Sequence, residues 1–460
     1  MLIQPSAPVV NNLASTPVTS FLQLVRYFEQ QTTPRERWRI GLEHEKVGVR
    51  ASGEPVPFDG PTGLWALLSR FERLGFSADR EGDHPVALWR GDDKLSLEPG
   101  GQFELSAGAT ESVSGSAALL RSHLMELKSL AEGLDIHFIA GGFRPFGRLD
   151  EVPWHPKHRY AIMREFLPNQ GREGRLAWEM MKRTATMQFN FDFSSEADAV
   201  ERMRTGFAVS SIVTALGAAS PIVDGQPSGF KSYRAAVWLE TDENRSGLLP
   251  FAFGPEMSFS RYAEWALDVP MFFVVREDAY VTFPEAMSFR RLWQEGFEHE
   301  GVRHHATMAD WELHLSTLFP EVRLKKTVEM RGADAGPLPV GLGLAALWRG
   351  LVDEPGARQA AWELVEHATG DERQATRRDV PRLGLEARLG RHKLADLARP
   401  LLEIAREGLL RIPFGAEDAA LLDPIAALAE EGRCPADQML DEYHAAGGDP
   451  AKLIRVWEHP

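Results

Sequence analysis

A chain of 460 residues, 43% of them apolar and 25% charged, has ordinary globular composition, which excludes wholesale disorder and leaves room for one large core or two joined domains. The balance of 51 basic against 66 acidic residues, a formal charge of −15, argues against a nucleic-acid partner, because binders of that kind draw most of their affinity from neutralising phosphates. The single cysteine, Cys434, excludes an intrachain disulfide or a multi-cysteine zinc site and fits reducing surroundings; without a signal-like N-terminus or an apolar run of about 18 residues, the expected address is cytoplasmic, with no membrane partner.

The first residues, rich in Pro, Ser, Asn and Ala, read as a flexible N-terminal arm spanning 1–19. Apolar residues Phe21, Leu22, Val25 and Phe28 then recur at helical spacing, predicting a helix over 20–31. Mixed strands and helices follow, so that 20–345 forms a catalytic core. Beyond it, 346–460 is rich in Ala, Leu, Arg and Glu and reads as a helical region packed on that core. Within it, Pro400–Leu410 and Ala416–Glu431 are expected to be helical, with Pro424 interrupting the second.

Four short segments alternate with a period of two, as half-buried strands do. In Leu42-Glu43-His44-Glu45 the two glutamates share a face, and His44 belongs to the opposite, packed one. In Gln102-Phe103-Glu104-Leu105, Gln102 and Glu104 share a face. From Met187 to Phe193 four apolar side chains oppose Gln188, Asn190 and Asp192. From Val322 to Arg331 the apolar Val322, Leu324, Val328 and Met330 oppose Glu329 and Arg331. Strands that repeat Glu, Gln and Asn on one face suggest a sheet lining a polar basin. The lack of regular βαβ alternation makes that sheet largely antiparallel.

Glu43, Glu45, Glu98, Glu104 and Glu329 lie on or beside these strands. Converging carboxylates repel one another, and divalent cations remove that cost; Mg²⁺ prefers such oxygen donors. Arg331, on the face of Glu329, has the planar fork that holds a phosphoryl oxygen. The alternative is a set of solvated surface carboxylates. Other motifs fail: there is no Gly-x4-Gly-Lys loop, Gly341-Leu342-Gly343 lacks its third glycine, and His299 to His304 carries one residue too many for a zinc-protease helix. His155 and His158 fall in a proline-flanked basic loop, and no Gly-x-Ser-x-Gly elbow occurs.

Longer matches accompany these strands: Gly41 to Lys46, Ser96 to Ser106, Met187 to Asp198, Ser220-Pro221, Gly229 to Arg234, Thr241 to Gly247, Ala266 to Met271, Phe319 to Lys325 and Glu329 to Asp334. On these stretches the chain resembles the plant and proteobacterial type of glutamate–cysteine ligase, the type 2 family, from about residue 20 to the C-terminus. The resemblance implies an α+β fold with a glutamine synthetase-like catalytic core, a curved, largely antiparallel sheet, and a helical C-terminal region. It implies ATP-dependent joining of L-glutamate to L-cysteine through γ-glutamyl phosphate, the first step of glutathione biosynthesis, with two or three Mg²⁺ ions and a monomer or homodimer. A related ligase with another amine acceptor, or a non-catalytic glutamate or nucleotide sensor, remains as the alternative. By the same resemblance Glu43, Glu45, Glu98, Glu104, Gln188 and Glu329 are metal ligands, and Glu329 and Arg331 act at the transferred phosphoryl group. Arg234, Arg245 and Trp238 bind the amino-acid substrate, while Lys46, Lys325 and Arg331 contact nucleotide phosphates. One cysteine departs from the redox-switched plant pattern; Ala185 stands where the plant enzymes have a cysteine.

Overall fold

The alternating segments become strands of one large antiparallel sheet. In chain order these are β1 (Ile40–Val49), β2 (Ser77–Glu81), β3 (His84–Arg90), β4 (Asp93–Leu97), β5 (Phe103–Ser106), β6 (His137–Ile139), β7 (Thr186–Phe191), β8 (Val322–Leu324) and β9 (Val328–Asp334). The computed structural model describes residues 16–169, 176–277 and 279–460, so positions 1–15 of the expected arm lie outside the described residues. Residues 16–19 are tied down rather than flexible. Pro17 bridges to Thr307, and the Val18 amide donates to Ala306 O at 2.9 Å, with the Val18 side chain buried.

The strand order is β8-β9-β7-β1-β5-β4-β3-β2, with β6 paired to the second half of β1, and every pairing in this sheet is antiparallel. One face is apolar. Ile40, Leu42, Phe103, Leu105, Met187, Phe189, Phe191, Val322, Leu324, Val328 and Met330 are all buried there. Truncating one of the larger of them, such as Phe189→Ala, would cost about 3–5 kcal/mol through lost contacts and a cavity.

The principal helices are α1 (Val113–Ala131), α2 (His158–Phe166), α3 (Ala177–Arg183), α4 (Glu196–Gly217), α5 (Tyr233–Leu239), α6 (Leu338–Val352) and α7 (Leu394–Leu410). Of these α1, α4, α6 and α7 share the apolar cluster of that face, while α2, α3 and α5 form a separate cluster and border the polar side. Helix α4 opens on Ser195, whose side chain accepts from the Asp198 amide, with Glu196 and Asp198 in the first turn, where carboxylates favour the helix dipole. It lies directly on β8 and β9 because residue 206 is glycine: a Cβ there would sit 2.8 Å from both Met330 Sδ and Val322 Cγ2. Helices α6 and α7 cross as closely, since a Cβ on Gly350 would approach Ala405 O to 2.1 Å.

Helix α6 is buried along nearly its whole length. It shares one apolar cluster with both the sheet and the C-terminal helices, and the expected core boundary at 345 falls in its middle. Pro400 stands inside α7, not in its first turn. The next helical stretch is broken into Gly415–Ala419, a short 3-10 turn and Asp423–Glu430, where Pro424 occupies the first turn and loses no hydrogen bond. The near-match at His299 to His304 is a β-hairpin, Phe297–His299 paired with Val302–His304, and not a helix.

Candidate active site

On the opposite face of the sheet the register brings polar side chains into rows. Ser96, Glu104 and Glu45 align across β4, β5 and β1. Ser106, Glu43 and Gln188 align across β5, β1 and β7, and Gly41, Asn190, Glu329 and Arg323 across β1, β7, β9 and β8. Antiparallel pairing with a side-chain period of two produces this result, so four strands that each alternate acid or amide with hydrophobe build one continuous basin.

Glu43 accepts from Gln188 Nε2 at 2.9 Å and from Asn190 Nδ2 at 3.1 Å. Burial, then the neighbouring Glu329 and Glu104, push its carboxyl up to about 7. Glu45 accepts from the Thr186 amide at 2.9 Å, and burial followed by Glu104 and Glu98 holds it well above the carboxylate range. Glu104 accepts from Ser96 Oγ and Ser106 Oγ, both at 3.1 Å. Glu98 lies in the turn between β4 and β5, with Tyr160 OH 3.3 Å from its Oε1; burial and then Glu104 raise it to about 7. Gln102 fixes that turn. Its Oε1 accepts from the Gly100 amide and its Nε2 donates to Met181 O and Thr184 O.

Glu329 is different. Burial would raise it, but Arg323 Nε at 2.6 Å from one oxygen and Arg331 Nη1 at 2.5 Å from the other hold it below the usual carboxylate range. Arg331 bounds a pocket that also contains Glu45, Glu98, Arg159, Arg234 and Trp238 and has about 120 Å³ of room. Arg234 donates from Nη2 to Thr186 Oγ1 and Arg331 O, both at 2.9 Å, while its buried Nε has no partner among the described residues. Trp238 Nε1, one helical turn along α5, is likewise buried and unpartnered. Asp334 supports this corner from behind. It accepts from the Ala219 amide, Ser220 Oγ and Ser232 Oγ, and lies 4.0 Å from Arg234 Nη1.

Two expectations fail. Lys46 follows Glu45 on β1, so the pleat turns it to the apolar face. It is fully buried there, its ammonium donates to His44 O at 2.7 Å, and burial outweighs the pull of Glu104 and Glu45 to bring its pKa down to about 7. It does not face the basin. Arg245 is also withdrawn from substrate binding. It is fully buried and its guanidinium is occupied by Asp242 Oδ2, Thr317 O and Pro270 O, with Phe272 beneath it. Lys325 lies at the β8–β9 turn, where burial, ahead of Arg323, lowers its ammonium to about 8 and Glu329 is among the acids that act on it.

Reading the sequence missed Arg323, although the alternation that turns Glu329 outward does the same for Arg323 across the hairpin. It also missed Arg159, Tyr160 and the methionines of α2 and α3, which no strand pattern marks.

Among the described residues no three carboxylate, imidazole or thiolate groups are already drawn together as a metal cage. The donor chemistry nonetheless suits a hard divalent cation. Gln188 is buried with its Oε1 unpartnered among the described residues beside Glu43, and the acids around it are pushed up by burial and then by one another's charge. An added cation would relieve both.

The model of glutamate-cysteine ligase family 2 matches residues 39–455. The glutamate–cysteine ligase, chloroplastic, of Solanum lycopersicum is 39% identical over 443 residues, covering 96% of this chain and 83% of the relative. Glutamate–cysteine ligase B, chloroplastic, of Oryza sativa subsp. japonica is 38% identical over 442 residues, covering 96% and 87%. Among solved structures, glutamate–cysteine ligase from Francisella tularensis in complex with AMP superimposes with a TM-score of 0.57 at 11% identity, covering 91% of this chain and 87% of that one. A bifunctional glutathione synthetase from Pasteurella multocida gives 0.51 at 14%, covering 95% and 53%. These structural likenesses bear on the fold. The plant relatives' names also overturn the cytoplasmic expectation, for they are chloroplastic proteins; a cysteine count bears on redox surroundings and does not say which compartment supplies them. Among the described residues no helix is long and apolar enough to cross a membrane.

Proposed function

The chain belongs to glutamate-cysteine ligase family 2, and on that premise we propose that it joins the γ-carboxylate of L-glutamate to the amine of L-cysteine with conversion of ATP to ADP and phosphate. The observation that carries this reading is the single face on which Glu43, Glu45, Glu104 and Glu329 stand in register, flanked by the guanidinium groups of Arg323, Arg331 and Arg234. Acids that collect cations beside arginines that collect anions are what phosphoryl transfer between two anionic reactants requires.

In this reading the γ-carboxylate of glutamate attacks the γ-phosphorus of ATP, the β–γ bridging bond breaks, and ADP leaves. The amine of cysteine then adds to the resulting acyl phosphate and phosphate departs. No protein nucleophile is needed, so the residues act by positioning and by field. Arg234, with its unspent Nε, takes the α-carboxylate of glutamate, and Trp238 Nε1 stands one turn away as a second donor. Arg331 lies against the transferred phosphoryl group, and Glu329, held ionised by Arg323, fixes its orientation. Lys325 meets nucleotide phosphate at the mouth of the β8–β9 turn. Mg²⁺, held by Glu43, Glu45, Glu98, Glu104, Gln188 and Glu329, would supply neutralisation of phosphate charge.

The test is ADP release measured with glutamate and a panel of amines: cysteine, α-aminobutyrate, glycine and simple alkylamines. Release that depends on glutamate and is fastest with cysteine is expected. Equal rates with simple amines would assign a different acceptor, and ATP binding by calorimetry with no ADP from any mixture would make the protein a sensor.

A further inference from the structure

The pocket bounded by Arg331 and Arg234 has a second kind of wall. Met163 on α2 and Met180 and Met181 on α3 line it, each less than a tenth exposed, together with Phe319. Apart from Trp238 Nε1, which the ligase reading gives to glutamate, the uncharged polar groups that line the pocket are already engaged. Tyr160 OH is shared between Leu97 O and Glu98, and Thr184 Oγ1 donates to Met180 O. Gln102 uses both ends of its amide on backbone groups, and Thr186 Oγ1 donates to Ala333 O while accepting from Arg234. The stretch of lining made by the three methionines and Phe319 is therefore soft and polarisable, and these four side chains offer no hydrogen-bonding group.

Such a surface discriminates between side chains of nearly equal size. A thiol loses little on leaving water and gains dispersion contact with thioether and aromatic groups. A hydroxyl set against the methionines would give up its water without replacement. We propose that Met163, Met180 and Met181 form the wall that receives the side chain of the amine acceptor and selects a thiol or small alkyl group over a hydroxyl. The inference rests on the ligase reading above. In that reading the donor glutamate takes Arg234 and the carboxylate basin with its two carboxylates, which leaves the methionine wall for the acceptor.

The experiment is a set of kcat/KM values for L-cysteine, L-α-aminobutyrate and L-serine at saturating Mg-ATP and glutamate. The wild type, Met163→Gln, Met180→Gln, and the apolar controls Met163→Leu and Met180→Leu are compared, each with its glutamate KM. The wild type should disfavour serine relative to cysteine by roughly ten- to a hundred-fold, the range an apolar pocket achieves against an added hydroxyl. A glutamine that offers the hydroxyl a partner should narrow that ratio about ten-fold, while the leucine variants keep it and glutamate KM changes little. An unchanged ratio in the glutamine variants, or an effect on glutamate KM in its place, would overturn the assignment. If the glutamine variants do not fold, the leucine pair decides: a ratio shifted toward serine by an apolar replacement contradicts the proposal. No ADP release by the wild type with any amine would bring down the ligase reading and this inference together, an outcome distinct from an active enzyme whose acceptor ratios ignore the methionines.

Discussion

Strand β1 carries acids on one face and bases on the other, and only the acids face the polar basin. In front stand Glu43 and Glu45, raised by burial and then by neighbouring acids and hydrogen-bonded to amides, with Glu45 open to the pocket. Behind stand His44 and Lys46, buried beside His123 and His459, with His44 and His459 rings 5.1 Å apart and, among the described residues, ring nitrogens of all three histidines without a partner. Burial, then the charge of Lys46, drives His44 and His459 far below the imidazole range, so these two rings are held neutral. The two faces differ in what surrounds them. Front-face charge can be answered by cations and guanidinium groups, whereas on the rear face burial outweighs the pull of Glu104 and Glu45 on Lys46 and favours proton loss.

This contrast is broken most severely at the front. Glu45→Gln and Glu104→Gln should each lower turnover about 10²-fold or more, as loss of a central electrostatic group does, with the melting temperature kept. Near-normal turnover at limiting Mg²⁺ would dissolve the distinction between the faces. Arg234→Ala should raise the glutamate KM by about ten-fold or more, the loss of a charge-assisted hydrogen bond, and leave the ATP KM nearly unchanged; steady-state kinetics with each substrate varied separates the two. At the rear, Lys46→Met replaces a buried amine by an apolar chain of similar length. The ATP KM should stay within about two-fold and the melting temperature should hold or rise. A large rise in ATP KM would return Lys46 to the nucleotide site.

The smallest effect is in pH. The carboxyls of Glu43 and Glu98 are raised from 4.5 to about 7, chiefly by burial, so between those values the native state binds more protons than the unfolded one. The stability they contribute is complete below pH 4.5 and is lost as pH rises through 7. The Mg²⁺-free protein should therefore melt a few degrees lower at pH 8 than at pH 6, and Glu43→Gln should flatten part of that slope. Differential scanning fluorimetry across this range reads it, and an identical slope in the variant would contradict the assignment.

The front face was legible in the sequence because alternation is a local signal. Glu43, Glu45, Glu104, Gln188 and Glu329 could be put on one side of their strands without knowing the strand order. The same rule, applied one residue further, puts Lys46 behind; its lysine chemistry had outweighed its position. Arg245 misled for a different reason, since a guanidinium in a loop looks available until Asp242 and two carbonyls are found around it. The methionine wall left no trace in the sequence, because the two short helices that form it meet the basin only through tertiary packing. The core boundary at 345 was unreadable for the same reason, as α6 is apolar all round and belongs equally to both layers it joins.

The most direct measurement is formation of γ-glutamylcysteine, followed by mass spectrometry, as Mg²⁺ is titrated into the wild type, Glu45→Gln and Lys46→Met. Product should rise with Mg²⁺ in the wild type and in Lys46→Met along nearly the same curve, while Glu45→Gln stays flat or demands far more of the ion. Product formed equally without Mg²⁺, or a Glu45→Gln curve lying on that of the wild type, would contradict the assignment of the front face of β1 to a metal-dependent ligase.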